Sequence, residues 1–242
     1  MDTRVRGELT AKLSKIVRKN LDPSEMLDVD AIPMRTPSVA RVPDCERCTD
    51  RCCVHKEPDT GILLSLRDVA HLVDSGLGHL VVGKFTFRRD RDGEPYADID
   101  EMPRLKKKRN GLCHFYDEKS GRCMGYGVRP TICRRFPYEI GYRKGTGKPF
   151  AQFIPWAACP TVRVPADSAP VAQMARDAAH DENVSFEDVV LLTERIEELR
   201  RTGFAPYLPP PSECPPGAPR SNGRARASDA ESGSARGRRS GR

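Results

Sequence analysis

Four cysteines lie within nine residues in the stretch that decides this fold, Cys45-Glu-Arg-Cys48-Thr-Asp-Arg-Cys52-Cys53. A Cys-x-x-Cys pair lets two sulfurs reach one metal ion from a tight turn, as in zinc knuckles and iron–sulfur loops. A disulfide between neighbours such as Cys52 and Cys53 is strained, so these two are expected to serve different sites or roles. The stretch therefore predicts metal binding rather than a disulfide framework.

Further cysteines extend this pattern along the chain. Cys113, Cys123 and Cys133 follow at ten-residue intervals, and Cys159 directly precedes Pro160. Eight thiols are twice the four that one zinc ion or one iron–sulfur cluster takes, so two sites, or one site beside reduced buried cysteines, both fit. Soft thiolates with few histidines favour an iron–sulfur cluster, of the 4Fe-4S type, or zinc. The candidate metal ligands are Cys45, Cys48, Cys52, Cys53, Cys113, Cys123, Cys133 and Cys159.

The composition agrees with a fold that needs help from a metal. Only 38% of the 242 residues are hydrophobic and 6% are aromatic, which predicts a thin apolar core. The N-terminal residues lack the apolar segment of a signal peptide, and no stretch approaches the length of a transmembrane helix. We therefore expect a cytoplasmic protein without a membrane segment, in which thiols stay reduced and are used for metal or redox chemistry.

The net charge of +7 is unevenly distributed. Residues Arg220–Arg242 contain seven arginines against Asp229 and Glu231, so this segment carries five of the seven net positive charges. The remainder is nearly neutral, and the basic balance does not indicate a nucleic-acid-binding fold. An arginine-rich tail that contacts nucleic acid or an acidic protein stays open as an alternative.

Hydrophobic periodicity and capping residues predict an irregular α+β domain in which small sheets and short helices wrap the metal region. Ser65 and Asp68 form a capping-box pattern, and Ser185 and Asp188 repeat it. The predicted helices cover Val5–Leu21, Ser65–Asp74 and Ser185–Arg201, with a short one after Pro130. The predicted strand pairs are Leu80–Arg88 with Tyr96–Ile99, Tyr138–Tyr142 with Phe150–Ile154, and two short strands between Cys113 and Cys123. The expected regions are an N-terminal helix and lead-in (1–40), the cysteine-cluster domain (41–162), a helical extension (163–208) and a disordered Pro-rich, then Arg/Ser/Gly-rich tail (209–242).

Several residues near the cysteines could tune or complete the site. Arg129, Arg134 and Arg135 lie beside Cys133 in the sequence and either offset the charge of a cluster or form structural ion pairs. Tyr126 could donate to a sulfur, although packing is favoured. The remaining candidates are His55 and His114, as replacement ligands, and Trp156, which is expected in the core.

The motifs together resemble the YkgJ-like cysteine-cluster family of zinc- or iron-chelating domains. The family pattern opens with Cys-x-x-Cys-x-x-x-Cys-Cys, and it continues here with Cys113 and a Cys-x-x-Tyr-x-x-Arg-Pro-x-x-Cys-Arg-x-Phe-Pro segment over residues 123–137. The resemblance covers about residues 41–162 and implies that Cys159 is the eighth family cysteine. It extends to flagellin lysine N-methylases, which implies an iron–sulfur cluster and S-adenosylmethionine as a further alternative.

Catalysis does not follow from that resemblance. Radical S-adenosylmethionine enzymes space their cysteines in the opposite order, and no Gly-x-Gly-x-x-Gly nucleotide loop is present in the sequence. Whether the protein is an enzyme, and which protein partner or substrate it has, cannot be read from the sequence.

Overall fold

Helices provide the frame of this fold. The computed structural model describes residues 7–35, 39–43, 61–89, 95–98, 101–154, 161–165 and 167–211. Its α-helices are α1 (Glu8–Asn20), α2 (Leu66–Asp74), α3 (Thr131–Arg135), α4 (Ala169–Glu194) and α5 (Ile196–Leu199), and α5 continues into a π-helical turn over Arg200–Phe204. Among the described helices, none combines the length and the apolar character that a membrane span requires.

Within the described residues, the strands pair two by two, and each of these pairs is antiparallel. The predicted pairing of Tyr138–Tyr142 with the strand after the Lys/Gly-rich turn is confirmed, as is the short hairpin before Cys123. The α+β class is confirmed as well. The pairs are β1 (Val39–Pro43) with β10 (Thr161–Pro165), β2 (Val81–Val82) with β5 (Arg104–Leu105), β3 (Phe87–Arg89) with β4 (Pro95–Ala97), β6 (Tyr116–Asp117) with β7 (Arg122–Cys123), and β8 (Tyr138–Tyr142) with β9 (Pro149–Phe153).

The main apolar core lies where α1, α2 and the C-terminal helices meet. The apolar face predicted for the N-terminal helix is buried there, and the helix itself begins at Glu8 within the described residues. Asp74 of α2 accepts hydrogen bonds from the amides of Leu9 (3.0 Å) and Thr10 (2.9 Å), which supplies the cap that α1 lacks at Gly7. The buried residues of this core include Leu9, Leu13, Ile16, Leu66, Val69, Leu72, Leu191, Leu192, Phe204 and Leu208.

The prediction of a single strand over Leu80–Arg88 is wrong. Gly83 has a φ of +85°, a left-handed conformation that interrupts an extended strand. The segment before Gly83 pairs as β2 with β5, and the segment after Phe85 pairs as β3 with β4. The predicted partner segment around Tyr96 is therefore correct only for the second half.

The predicted helix start at Ser185 is also wrong. Helix α4 begins at Ala169 behind Ser168 and runs through Ser185, whose hydroxyl donates to the backbone oxygen of Asp181 one turn earlier (3.0 Å). Asp188 does not cap its own helix; it is buried and accepts from the amide of Leu66 at the start of α2 (2.8 Å). An alanine-rich stretch with high helix propensity extends the helix upstream.

Some predictions fall wholly or partly outside the described residues. The first residues of the N-terminal helix, including Val5, and positions 212–242 of the predicted tail belong to this group. At the near end of that tail, Pro209 is buried and its carbonyl accepts a hydrogen bond from Arg200. The boundaries proposed for the four regions stay predictions.

Candidate metal centre

The structure describes three of the eight candidate cysteines. Cys113 is buried, whereas Cys123 and Cys133 are half-buried. The other five, together with His55 and Trp156, lie outside the described residues. Within the part that is described, no group of three His, Cys, Asp or Glu side chains is placed so that it could hold a metal ion. Any site with three or more ligands from these residue types must therefore include residues from beyond this part.

Cys113 and Cys123 lie at the two ends of the β6–β7 hairpin. Tyr116 pairs with Cys123 in the ladder, and the amide of Tyr116 donates to the carbonyl of Cys113 (3.0 Å). Asp117 shapes the turn by accepting from the amide of Ser120 (3.0 Å). Both cysteines contact the main apolar core, and Cys113 is 8% exposed. The hairpin thus brings the backbones of Cys113 and Cys123 close together.

The turn after Cys123 is anchored to this hairpin through Phe115. The amide of Met124 donates to the carbonyl of Phe115 (2.7 Å), and the Phe115 ring is buried. Gly125 lies directly against that ring, and a Cβ atom there would be only 2.5 Å from Phe115 Cγ. A glycine at this position is what allows the backbone to approach the aromatic ring so closely.

Cys133 is carried by α3, which is held at both ends by carboxylates from other helices. At its start, the amide and the hydroxyl of Thr131 both donate to Asp68 Oδ1 on α2, at 2.9 Å each. At its end, Arg135 forms an ion pair with Asp181 of α4 and donates to the carbonyl of Tyr138 (2.9 Å). The predicted short helix after Pro130 is thereby confirmed.

The arginines predicted near the site take different roles. Arg135 makes the structural ion pair that was one of its two predicted roles, and Arg134 is exposed. The Arg129 guanidinium lies 3.7 Å from the centroid of the Tyr126 ring, a cation–π contact. Tyr126 is 68% exposed, so this packing contact lies at the surface of the protein.

Basic residues lie close to the hairpin. Lys108 donates to the carbonyl of Tyr116, and Lys107 forms a β-bridge with Cys113. His114 is exposed, and its pKa is lowered by partial burial and by the nearby His79, Lys108 and Lys106. Positive charge at this place favours anionic ligands such as thiolates.

The β1–β10 ladder connects the first and last parts of the cysteine pattern. Pro43 pairs with Thr161, and Tyr138 donates its hydroxyl to the carbonyl of Arg41. In the sequence, Cys45 follows Pro43 by two residues, and Cys159 precedes Thr161 by two. The segments that contain these two cysteines therefore start from one end of a single ladder.

Sequence reasoning missed the buried and half-buried carboxylates that hold these elements. Asp68 was assigned only to the capping box of α2, which is confirmed: its backbone amide donates to Ser65 Oγ (3.0 Å). Its second contact, to Thr131, is long-range, as are those of Asp181 and Asp188. Their only sequence signal is acidic residues on otherwise apolar helix faces.

Asp181→Asn is expected to flatten the pH dependence of stability. Burial raises the pKa of Asp181 to about 6, and Arg135 lowers it only in part. A carboxyl with a raised pKa stabilises the fold below the unfolded pKa, and this contribution is lost as the pH rises through about 6. When the pH is lowered from 7 to 5, the free energy of unfolding of the wild type, measured with urea, should rise by roughly 1 kcal/mol relative to that of the variant. Asp177→Asn, one turn earlier in an exposed contact with Gln173, is the control. If the free energies of unfolding of the wild type and Asp181→Asn changed with pH in parallel, the raised pKa of Asp181 would be contradicted.

Comparison with known proteins shows a match to a family model over part of the chain. A family model described as "Putative zinc- or iron-chelating domain", with the pattern CxxCxxCC, matches residues 44–155. The resemblance read from the sequence is thereby confirmed. The matched region contains all the candidate cysteines except Cys159, which lies beyond its end. An uncharacterized protein of Methanocaldococcus jannaschii is 46% identical over 39 residues, which are 16% of this chain and 21% of that protein. No solved structure matches the chain.

Proposed function

We propose, from the premise that residues 44–155 belong to the zinc- or iron-chelating cysteine-cluster family, that this protein binds an iron–sulfur cluster through its cysteine thiolates. The family supports metal binding in general, and the choice of metal rests on the donors. Soft thiolates suit iron–sulfur clusters and zinc better than harder metals. The observation that carries the proposal is the set of eight thiols, seven of them inside the matched region.

The surroundings of the described thiols fit such a group. Cys113 and Cys123 contact an apolar core, which limits access of water, and Lys106 and Lys108 supply positive charge close by. Cluster potential and stability depend on this kind of burial and on neighbouring charges. Because the three described cysteines do not form a three-ligand group, each four-thiolate site would take at least two ligands from the other five. These are Cys45, Cys48, Cys52, Cys53 and Cys159.

Anaerobic purification followed by elemental analysis tests the proposal. We expect iron and acid-labile sulfide in equal amounts, with broad visible absorption that bleaches on reduction with dithionite. Colourless protein with stoichiometric zinc would contradict the iron–sulfur proposal and would indicate a structural zinc module instead. The metal of such a module contributes on the order of 10 kcal/mol to folding. Protein that lacks both metals, and that melts unchanged in the presence of a strong chelator, would contradict metal binding altogether.

A further inference from the structure

We infer that Asp68 is a positioning residue for the metal ligand Cys133, acting through the short helix α3 from a buried polar frame on α2 and α4. The inference rests on the proposed function, because it takes Cys133 to be a ligand. It assigns to helix α4, which lies beyond the family-matched region, a part in setting metal affinity.

Helix α3 depends on tertiary contacts for its position. It has only five residues, and an isolated helix of this length does not form in water. The contacts at its start are buried: Thr131 is 2% exposed and Asp68 is 4% exposed. A buried carboxylate that accepts two hydrogen bonds from the first residue of a helix fixes both the position of that residue and the direction in which the helix starts.

The other end of α3 is held by a different helix. Arg135 pairs with Asp181, and both side chains are largely buried. Cys133 lies between Thr131 and Arg135, with its amide bonded to the carbonyl of Pro130 (2.9 Å). The backbone of the cysteine is therefore fixed from both sides, which sets the position from which its side chain extends.

Asp68 itself is held in place by the rest of this frame. Its second oxygen, Oδ2, accepts from the amide of Ser65 (3.1 Å), and the next amide, that of Leu66, donates to Asp188 of α4 (2.8 Å). Arg67 forms an ion pair with the buried Glu187 of α4 at 2.7 Å. Helix α4 thus locks the start of α2, and α2 in turn locks the start of α3.

The test compares Asp68→Asn with Asp74→Asn in the full-length apo-protein under anaerobic conditions. Asp74 lies on the same helix and, like Asp68, accepts from both the amide and the hydroxyl of a threonine, here Thr10, at the start of another helix. That helix, α1, carries no cysteine. Zn²⁺ affinity is measured by chelator competition, and Co²⁺ substitution reports thiolate-to-metal charge transfer. Groups that orient a ligand without binding the metal typically contribute about 10- to 100-fold to affinity. We expect Asp68→Asn to weaken Zn²⁺ binding by about that factor and to change the Co²⁺ spectrum, with Asp74→Asn within about 3-fold of wild type.

Equal Zn²⁺ affinity and equal spectra for Asp68→Asn and Asp74→Asn would overturn the inference. Wild-type protein that carries no iron–sulfur cluster when purified anaerobically would instead overturn the proposed function, so the two failures are distinguishable. Should Asp68→Asn fail to fold, Thr131→Val decides the matter, because it removes only the hydroxyl contact of 2.9 Å. This variant is expected to lose roughly 3- to 10-fold in affinity, and wild-type affinity in it would overturn the inference.

Discussion

Replacing Cys113 with serine is expected to remove metal from the protein and to destabilise the fold by at least about 3 kcal/mol. The free energy of binding a structural metal is on the order of 10 kcal/mol and is coupled to folding, so the loss of one ligand weakens both. For a chain of this size, about 3 kcal/mol lowers the melting temperature by roughly 6–12 °C. Metal content and thermal unfolding, measured on anaerobically purified protein, check this prediction.

Two controls separate the lost ligand from other effects of the change. Cys214→Ser removes the one cysteine outside the predicted ligand set and should leave metal content and melting unchanged. Because Cys113 is buried against apolar side chains, a serine hydroxyl there also costs stability directly. A chelator removes the metal from both proteins. It should therefore reduce the difference in melting temperature between the wild type and Cys113→Ser without abolishing it. Full metal content in Cys113→Ser would show that Cys113 is not a ligand.

Gly125→Ala is expected to destabilise the protein by about 3 kcal/mol, as a severe case of overpacking. The added methyl group would lie 2.5–2.8 Å from three carbons of the Phe115 ring, so the buried ring or the turn after Cys123 has to move. Since Phe115 lies in the hairpin that carries Cys113 and Cys123, metal affinity should fall together with stability. Urea unfolding of apo-protein and Zn²⁺ titration measure the two effects.

Gly127→Ala is the matched control for this change. It lies two residues further along the same turn, and a Cβ atom there has no neighbour within 4 Å. Alanine at this site should change the free energy of unfolding by less than about 0.5 kcal/mol, as exposed substitutions usually do. Equal stability of the two variants would mean that Phe115 does not pack tightly on the turn.

Local signals predicted the elements whose ends are fixed by neighbouring residues. The capping box at Ser65 and Asp68 correctly gave the start of α2, because both partners lie within one helical turn. The same pattern at Ser185 and Asp188 wrongly predicted a helix start at a position in the middle of α4. There the carboxylate is used by Leu66, which is 122 positions away, and spacing within a helix cannot reveal such a partner.

The candidate site shows the same division between local and long-range information. Cysteine spacing predicted metal binding, which the family match supports, and the eight ligand residues stay predictions. The prediction of a hairpin before Cys123 and a helix at Cys133 is confirmed. The contact of Asp68 with Thr131 joins residues 63 positions apart and left no trace in the spacing. The exposure of Tyr126 could not be predicted either, because the spacing of residues in a turn does not determine which side of the turn faces solvent.

The pairing of Pro43 with Thr161 has a thermodynamic consequence for metal capture. Ordering a long chain around an ion carries a loop-closure entropy cost that grows with the length of the loop. When folding of the polypeptide already joins the two ends, that cost is met before any ion arrives, and the effective concentration of one thiol segment near the other rises. A fragment cut at residues 44 and 155 would lose both strands of this ladder and should bind metal more weakly than the whole chain.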